Sequence, residues 1–328
     1  MNPIKEFILW LIFLAVVVAG LAAFYALRPL PIVQFPYEFS LKQGSSLKSA
    51  ARQMEQAGVL PSDWLFVLLA RGLGKAAQIK PGNYQIEAPV SPLQVLDMIS
   101  KGRVEQSSVS IIEGWTFRQL RAALNAEPTL RHDSEGLSEA EILHRIAALE
   151  KNAEGLFFPD TYNFSSGSSD LAVLKRAYQL MQRNLQESWK ARAANLPLES
   201  SYQALILASI VEKETGKPSD RNMISSVFIN RLRKKMLLQT DPTVIYGLGD
   251  KFDGNLRKRD LLADTPYNTY TRSGLTPTPI ALPGLAAIQA TLHPAKSNAL
   301  YFVARGDGSS YFSSTLAEHN NAVNRYQK

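Results

Sequence analysis

Residues 208–216 read ASIVEKETG, and the apolar stretch YQALIL runs straight into them. Two carboxylates, Glu212 and Glu214, therefore stand where a greasy helix runs out. Ionised carboxylates resist burial because water solvates the charge far better than protein does. A carboxyl held beside apolar side chains has a raised pKa and keeps its proton near neutral pH, which is what a general acid needs to protonate a glycosidic oxygen. Helical residues turn by ~100° each, so the two glutamates differ by about 200° and point nearly opposite ways. They are not a close catalytic pair, and at most one enters a given cleft. Glu214 shares its face with Leu207, Ile210 and Val211, Glu212 with Leu205, Ala208 and Ser209. Two readings stay open on residues alone: both are solvated last-turn residues beside Lys213, or Glu214 is an acid.

Two further stretches carry polar groups of the kind that bind sugars. LQTDPTVIYG (238–247) sets Gln239, Thr240, Asp241, Thr243 and Tyr246 around one proline, and TPYNTYTRSGL (265–275) adds Tyr267, Asn268, Thr269, Tyr270 and Arg272. Turns use Asn, Thr, Asp and Pro as well, so each stretch alone has a bland reading. Other chemistries drop out. No HExxH, G-x-S-x-G or phosphate-binding loop is present, and the four histidines (His132, His144, His293, His319) form no metal-ligand spacing. No metal or cofactor is expected. The chain has no cysteine, which removes thiol catalysis and disulfides. The basic run from Arg231 to Lys235 reads as a helix C-terminus, where cations meet free carbonyls. It lacks the interleaved aromatics of a nucleic-acid surface.

The elements that must position these groups form an α+β pattern. YEFSL (37–41) reads as a strand. Helices follow to about Gly58 (capped by Ser45 or Ser46) and over 62–73, then a turn and strand in KPGNYQIE (80–87). SPLQVLDMISKG (91–102) is a helix with Ser91 as cap and Pro92 at its first position. Strand–helix–helix–strand is the order of a LysM-like unit. SVSIIEG (108–114) opens a second body. Helices are predicted over 116–126, 138–149, 170–194, 201–215, 219–236 and 284–292. The segment GLFFPDTYNFSSGSS (155–169) reads as a loop with exposed aromatics. Leu237–Leu282 is rich in proline and glycine with little periodicity, as in a functional loop system. A hairpin turns at Gly306-Asp307-Gly308, and Thr315 with Glu318 has capping-box spacing for a last helix.

The chain of 328 residues is 45% hydrophobic and 20% charged, so it is globular. Its net charge of +7 suits nucleic acid, anionic lipid or an acidic polymer without choosing among them. Phe7–Leu27 holds no charge and would span about 31 Å as a helix, close to a bilayer core of ~30 Å. A cleaved signal peptide is the rival, with Gly20, Ala22 and Ala23 as small residues for a cleavage site. The run is longer than the usual signal core, which favours a retained anchor. The short leader favours a cytoplasmic N-terminus and an exported body. The expected layout is 1–6 cytoplasmic, 7–27 transmembrane, 28–36 linker, 37–105 LysM-like and 106–328 catalytic.

ASIVEKET, SSVFINRL, LQTDPTVIYG, YNTYTRSGL and HPAKSNALYFVA occur in that order, and together they resemble the endolytic murein transglycosylases of the MltG (YceG-like) family. The resemblance covers essentially the whole chain and is densest over 204–326. It implies a membrane-anchored periplasmic lyase in the inner membrane, with a lysozyme-like transglycosylase cleft in its larger domain. It would cleave the MurNAc–GlcNAc β-1,4 bond inside nascent glycan strands, leave 1,6-anhydro ends and limit strand elongation. The implied partners are glycan strands, the lipid bilayer and cell-wall synthases, with no nucleic acid. The family's catalytic glutamate, in an E-T step, maps onto Glu214. Gln239, Thr240, Tyr246, Tyr267 and Asn268 are expected to contact substrate or order loops. Asp241 is the candidate for a second carboxylate, read chiefly as part of an Asp-Pro turn, and Glu212 as a helix-end residue supporting the cleft. Two other readings stand beside this one: a non-catalytic glycan-binding scaffold that does not need Glu214, and a muramidase using Asp241 with Glu214.

Overall fold

Hydrophobic patterning sorts the chain into two packed bodies. The structure, a computed structural model, describes residues 3–32, 37–86, 88–102, 106–165, 167–214 and 217–327. One compact unit comprises Met1–Ser107, Thr129–Arg131 and Asn163–Ser168, and the other Ser108–Pro128, His132–Tyr162 and Ser169–Lys328. The expected boundary at 105 and the end of the expected linker at 36 lie outside the described residues.

The first unit opens with α1 (Pro3–Leu27), whose stretch Phe7–Leu27 is long and apolar enough to cross a membrane. Behind it come β1 (Tyr37–Leu41), α2 (Leu47–Gln56), α3 (Asp63–Gly72), β2 (Gly82–Ile86) and α4 (Pro92–Lys101). The strands pair antiparallel with Phe39 opposite Tyr84, and the two rings stack at 5.4 Å. Alternation puts Phe39, Leu41, Tyr84 and Ile86 on one face. Against them pack Ala50, Ala51 and Met54 of α2, Phe66 and Ala70 of α3, and Val95, Leu96 and Ile99 of α4, all buried. Ser91 closes a capping box with Gln94 and Pro92 starts α4, as the sequence predicts.

The second unit carries the end of β3 (Gln106–Ser110), then α5 (Phe117–Asn125), α6 (Glu139–Arg145), part of β4 (Thr161–Ser165) and α7 (Asp170–Lys190). After these come α8 (Ser201–Glu214), α9 (Arg221–Arg233), α10 (Asp241–Leu248), α11 (Lys258–Leu262), α12 (Leu285–Leu292), the hairpin β5 (Tyr301–Ala304) and β6 (Ser310–Ser313), and α13 (Leu316–Tyr326). Three details depart from the sequence reading. The segment 155–169 is not a loop of exposed aromatics: Leu156, Phe157, Tyr162 and Phe164 are buried, and Phe157 stacks on Phe117 at 5.1 Å. Helix α6 stops at Arg145, with Ala147 in the left-handed region at φ 60° and Ala148 N–H donating to Leu143 O, a helix-ending turn. Leu237–Leu282 holds two short helices, the first begun by Asp241-Pro242 at its N-terminal positions.

Helix α8 is the centre of this body. Every residue from Ala204 to Val211 is buried, and α7, α9, α10 and α12 pack around it. A helix apolar on all sides belongs inside a core. Both faces of α8 are buried along this stretch, so burial along the helix does not by itself distinguish Glu212 from Glu214. What each meets at the helix end does. The expected end at Thr215 and Gly216 lies outside the described residues.

Candidate active site

Glu214 is the last described residue of α8, and it opens onto a cavity of about 690 Å³. Arg231, Gln239, Asp241, Tyr270, Tyr301 and His319 are among the residues lining that cavity. Thr240 Oγ1 donates a hydrogen bond to Glu214 Oε1. Burial pushes the Glu214 carboxyl above its ordinary value. The Asp241 charge pushes the same way, while the Thr240 hydrogen bond and the Arg231 cation work against the rise.

Thr240 is held in place by a knot of hydroxyls. Its N–H donates to Thr269 Oγ1 at 3.1 Å, and Thr243 Oγ1 donates to Thr240 O at 2.8 Å. Thr243 and Thr269 share a further hydrogen bond at 2.9 Å. Gln239, in the left-handed region at φ 48°, donates its N–H to Thr269 O at 3.1 Å. The two stretches singled out in the sequence are thus laced together, 238–247 against 265–275. Tyr270 OH donates to Asp241 Oδ1 at 2.5 Å, and burial raises the phenol so that it keeps the proton it donates.

The predicted residues separate into two groups. Glu214, Gln239 and Asp241 line the cavity, with Thr240 buried directly on the Glu214 carboxyl. Asn268, Tyr267 and Tyr246 are bonded to protein instead. Asn268, 1% exposed, donates to Leu261 O and Ala263 O and accepts from Tyr270 N–H at 2.8 Å, so it orders the loop that carries Tyr270. Tyr267 OH shares a hydrogen bond with Thr278 at 3.0 Å, and its ring meets Tyr246 edge-on at 5.0 Å. Glu212 points elsewhere: its Oε2 accepts the Gly284 N–H at the start of α12 at 3.0 Å, and Arg221 lies 3.5 Å from its Oε1. It is not a solvated helix-end residue, since its side chain is 6% exposed and burial raises its pKa. A Cβ on Gly284 would stand 1.8 Å from Glu113 Oε1, so a side chain there would displace the end of that second carboxylate.

Sequence reasoning did not single out three groups. Arg231, read as a helix-end cation, is buried and donates to Leu300 O at 2.7 Å, Leu238 O at 2.8 Å and Leu237 O at 3.2 Å, with its guanidinium over the Tyr301 ring. His319 stacks on Tyr301 at 5.1 Å, and burial lowers its pKa. Glu154, 7% exposed, accepts from Phe117 N–H at 2.9 Å and Tyr246 OH at 3.1 Å, tying α10 to the start of α5. No spacing pattern connects any of the three to the cavity. Among the described residues no three His, Asp or Glu side chains stand together as a metal site.

Burial raises Glu154 to about 7 from an ordinary 4.5. The folded chain then holds a proton that the unfolded chain has already lost. The contribution of Glu154 to stability is largest below about pH 4.5 and falls as pH rises to about 7, by about 3 kcal/mol at ~1.4 kcal/mol per pH unit. Glu154→Gln has no charge to form and is expected to lack this slope. Urea unfolding at pH 5 and pH 8 checks it; equal slopes in both proteins would refute the assignment.

The fold and site define a class: an α+β body with a partly buried carboxyl at the end of its central helix, facing a polar, tyrosine-lined groove. The YceG-like family model matches residues 39–325, and the chain belongs to that family. Among its relatives, the endolytic murein transglycosylase of Bacillus subtilis (strain 168) is 32% identical over 88% of this chain and 84% of its own length. The endolytic murein transglycosylase of Streptococcus pneumoniae serotype 2 is 27% identical over 98% of this chain and 65% of its own length. The crystal structure of a YceG-like protein from Listeria monocytogenes superposes with a TM-score of 0.54 at 29% identity, covering 87% of this chain and 97% of that one.

Proposed function

We propose that this protein is a membrane-anchored lytic transglycosylase that cuts the MurNAc–GlcNAc β-1,4 bond within glycan strands and leaves 1,6-anhydro ends. The observation that carries the reading is the Glu214 carboxyl, raised by burial and facing the groove with the Thr240 hydroxyl donating to it. Protonated, Glu214 gives its proton to the leaving O4. As a carboxylate it then takes the proton of the C6 hydroxyl as O6 attacks C1. The attached nucleophile has a high effective molarity, so no second carboxylate is needed to activate water. Asp241 stands on the groove with Tyr270 on its oxygen and serves as a neighbouring charge. Phe7–Leu27 is read as a retained anchor, the 37–105 segment as a LysM-like unit and the body as periplasmic, where nascent strands and their synthases are found. The non-catalytic and hydrolase readings are separated from this one by weighing the products from purified glycan strands. Anhydro ends support the lyase, reducing ends the hydrolase. Intact strands would sink both enzyme readings.

Glu212 offers an internal control. Glu212→Gln keeps an acceptor for Gly284 N–H, so its turnover is expected within about threefold of wild type, where loss of an acid–base group costs ~100-fold or more. A larger loss on the same glycan assay would move the chemistry to the other face of α8.

A further inference from the structure

We propose that α3 lies in the outer lipid boundary beside α1, so that the first unit touches the membrane through a second, interfacial helix. The proposal rests on the reading of Phe7–Leu27 as a retained anchor. Two hydrogen bonds tie the end of α1 to the unit behind it: Tyr25 OH to Ser62 O at 3.5 Å, and Leu30 N–H to Val90 O at 2.8 Å. Between α1 and α3 lies a cavity of about 470 Å³, lined from one side by Val18, Leu21 and Tyr25 and from the other by Leu65, Leu68 and Leu73. Val18 is nine residues before Leu27, which is about 13 Å along a helix. In a hydrocarbon core of ~30 Å, Val18 then lies close to mid-depth and Tyr25 about 3 Å from the outer edge, so the groove beside α3 opens at the outer boundary and runs inward from it. An element running beside it is at membrane depth.

The side chains of α3 suit that depth. Phe66 and Ala70 face inward and are fully buried. Away from that core Trp64 is 60% exposed, and Leu68, 56% exposed, and Leu73, 49% exposed just past the helix end, open on the groove beside α1. Three large apolar groups clustered outward are unusual on a water-facing surface. Tryptophan at the edge and leucines beside it are what the boundary between headgroups and acyl chains selects. A helix satisfies its own backbone there. Exposed Arg71, in the last turn, can reach phosphate. Lipid is the occupant favoured over protein because this apolar face continues the exposed apolar surface of α1, where Leu21 is 65% and Phe24 64% exposed.

The absence of cysteine allows a direct test on the full chain. Single variants Leu68→Cys, Leu73→Cys, Leu14→Cys and Leu149→Cys are spin-labelled and placed in nanodiscs of phosphatidylethanolamine and phosphatidylglycerol. Collisions are measured with oxygen, which concentrates in lipid, and with a water-soluble nickel chelate. Leu14 lies mid-way along α1, and Leu149 is 94% exposed in the other unit. Labels at 68 and 73 are expected to meet the nickel chelate at least about fivefold less than the label at 149, with oxygen collisions approaching those at 14. Free nickel access at 68 and 73, with 14 still in lipid, overturns the proposal and leaves the anchor standing. Free nickel access at 14 overturns both. Shielding at 68 from both reagents that vanishes when the protein is diluted into more nanodiscs assigns the face to a second copy and also overturns the proposal.

Discussion

Glu214→Gln is expected to abolish strand cleavage while leaving the chain folded. Both proton transfers of the proposed reaction pass through this one carboxyl. The loss should therefore lie at the upper end of the ~10²–10⁴-fold range for acid–base groups. Stability should change little, because the amide keeps an acceptor for the Thr240 hydroxyl and the group it replaces is one that burial already disfavours as an anion. The wild-type pH profile follows from the same environment. The acid form does the first step, so activity falls as pH rises through the Glu214 pKa, and burial places that fall above the ordinary carboxylate range. Asp241 adds a negative charge that favours the proton on Glu214. Asp241→Asn is then expected to move the alkaline limb to lower pH while the enzyme still cuts. Turnover against pH, with unfolding midpoints for each variant, checks all three statements. A Glu214→Gln protein that still releases anhydro products would remove Glu214 from the chemistry.

Much of this site was legible because its parts are local. The period of α8 places Glu212 and Glu214 on different faces, and the structure gives them different partners, Gly284 and Arg221 for one and Thr240 for the other. Cap and turn chemistry located α4, α13 and the β5–β6 hairpin, each set by residues within a few positions of one another. The misreadings come from contacts across long separations. Phe157 looks exposed until Phe117 is beside it, and which of the two expected roles Asn268 plays shows only when the carbonyls of Leu261 and Ala263 take its amide. Thr240 sits 26 residues from the carboxyl it meets. Period and composition carry no information at that range. Arg231 and His319 as cavity residues, and Glu154 as the tie between α10 and α5, were invisible for the same reason: each is defined by what folds over it.

Arg231→Met is expected to cost about 4 kcal/mol of stability and most of the activity. The side chain is 7% exposed and donates to three carbonyls, Leu237 O, Leu238 O and Leu300 O. Methionine fills similar space but leaves those oxygens without a partner, and each unpaired buried acceptor costs ~1–3 kcal/mol. The backbone that Arg231 clasps leads directly into Gln239 and Thr240, so releasing it frees the hydroxyl that Glu214 depends on. Removing the cation also takes away a charge that had opposed the rise in the Glu214 pKa, so any residual activity should persist to higher pH. Arg231→Lys should not rescue the fold fully, because one ammonium cannot span three carbonyls set around a planar fork. It should, however, restore the wild-type alkaline limb, since it keeps the positive charge. Urea midpoints and pH profiles of the two variants separate these contributions. Equal stability for Arg231→Met and wild type would show that the carbonyls find other donors. An unmoved alkaline limb in Arg231→Met would show that the guanidinium acts on the loop alone and not on the acid.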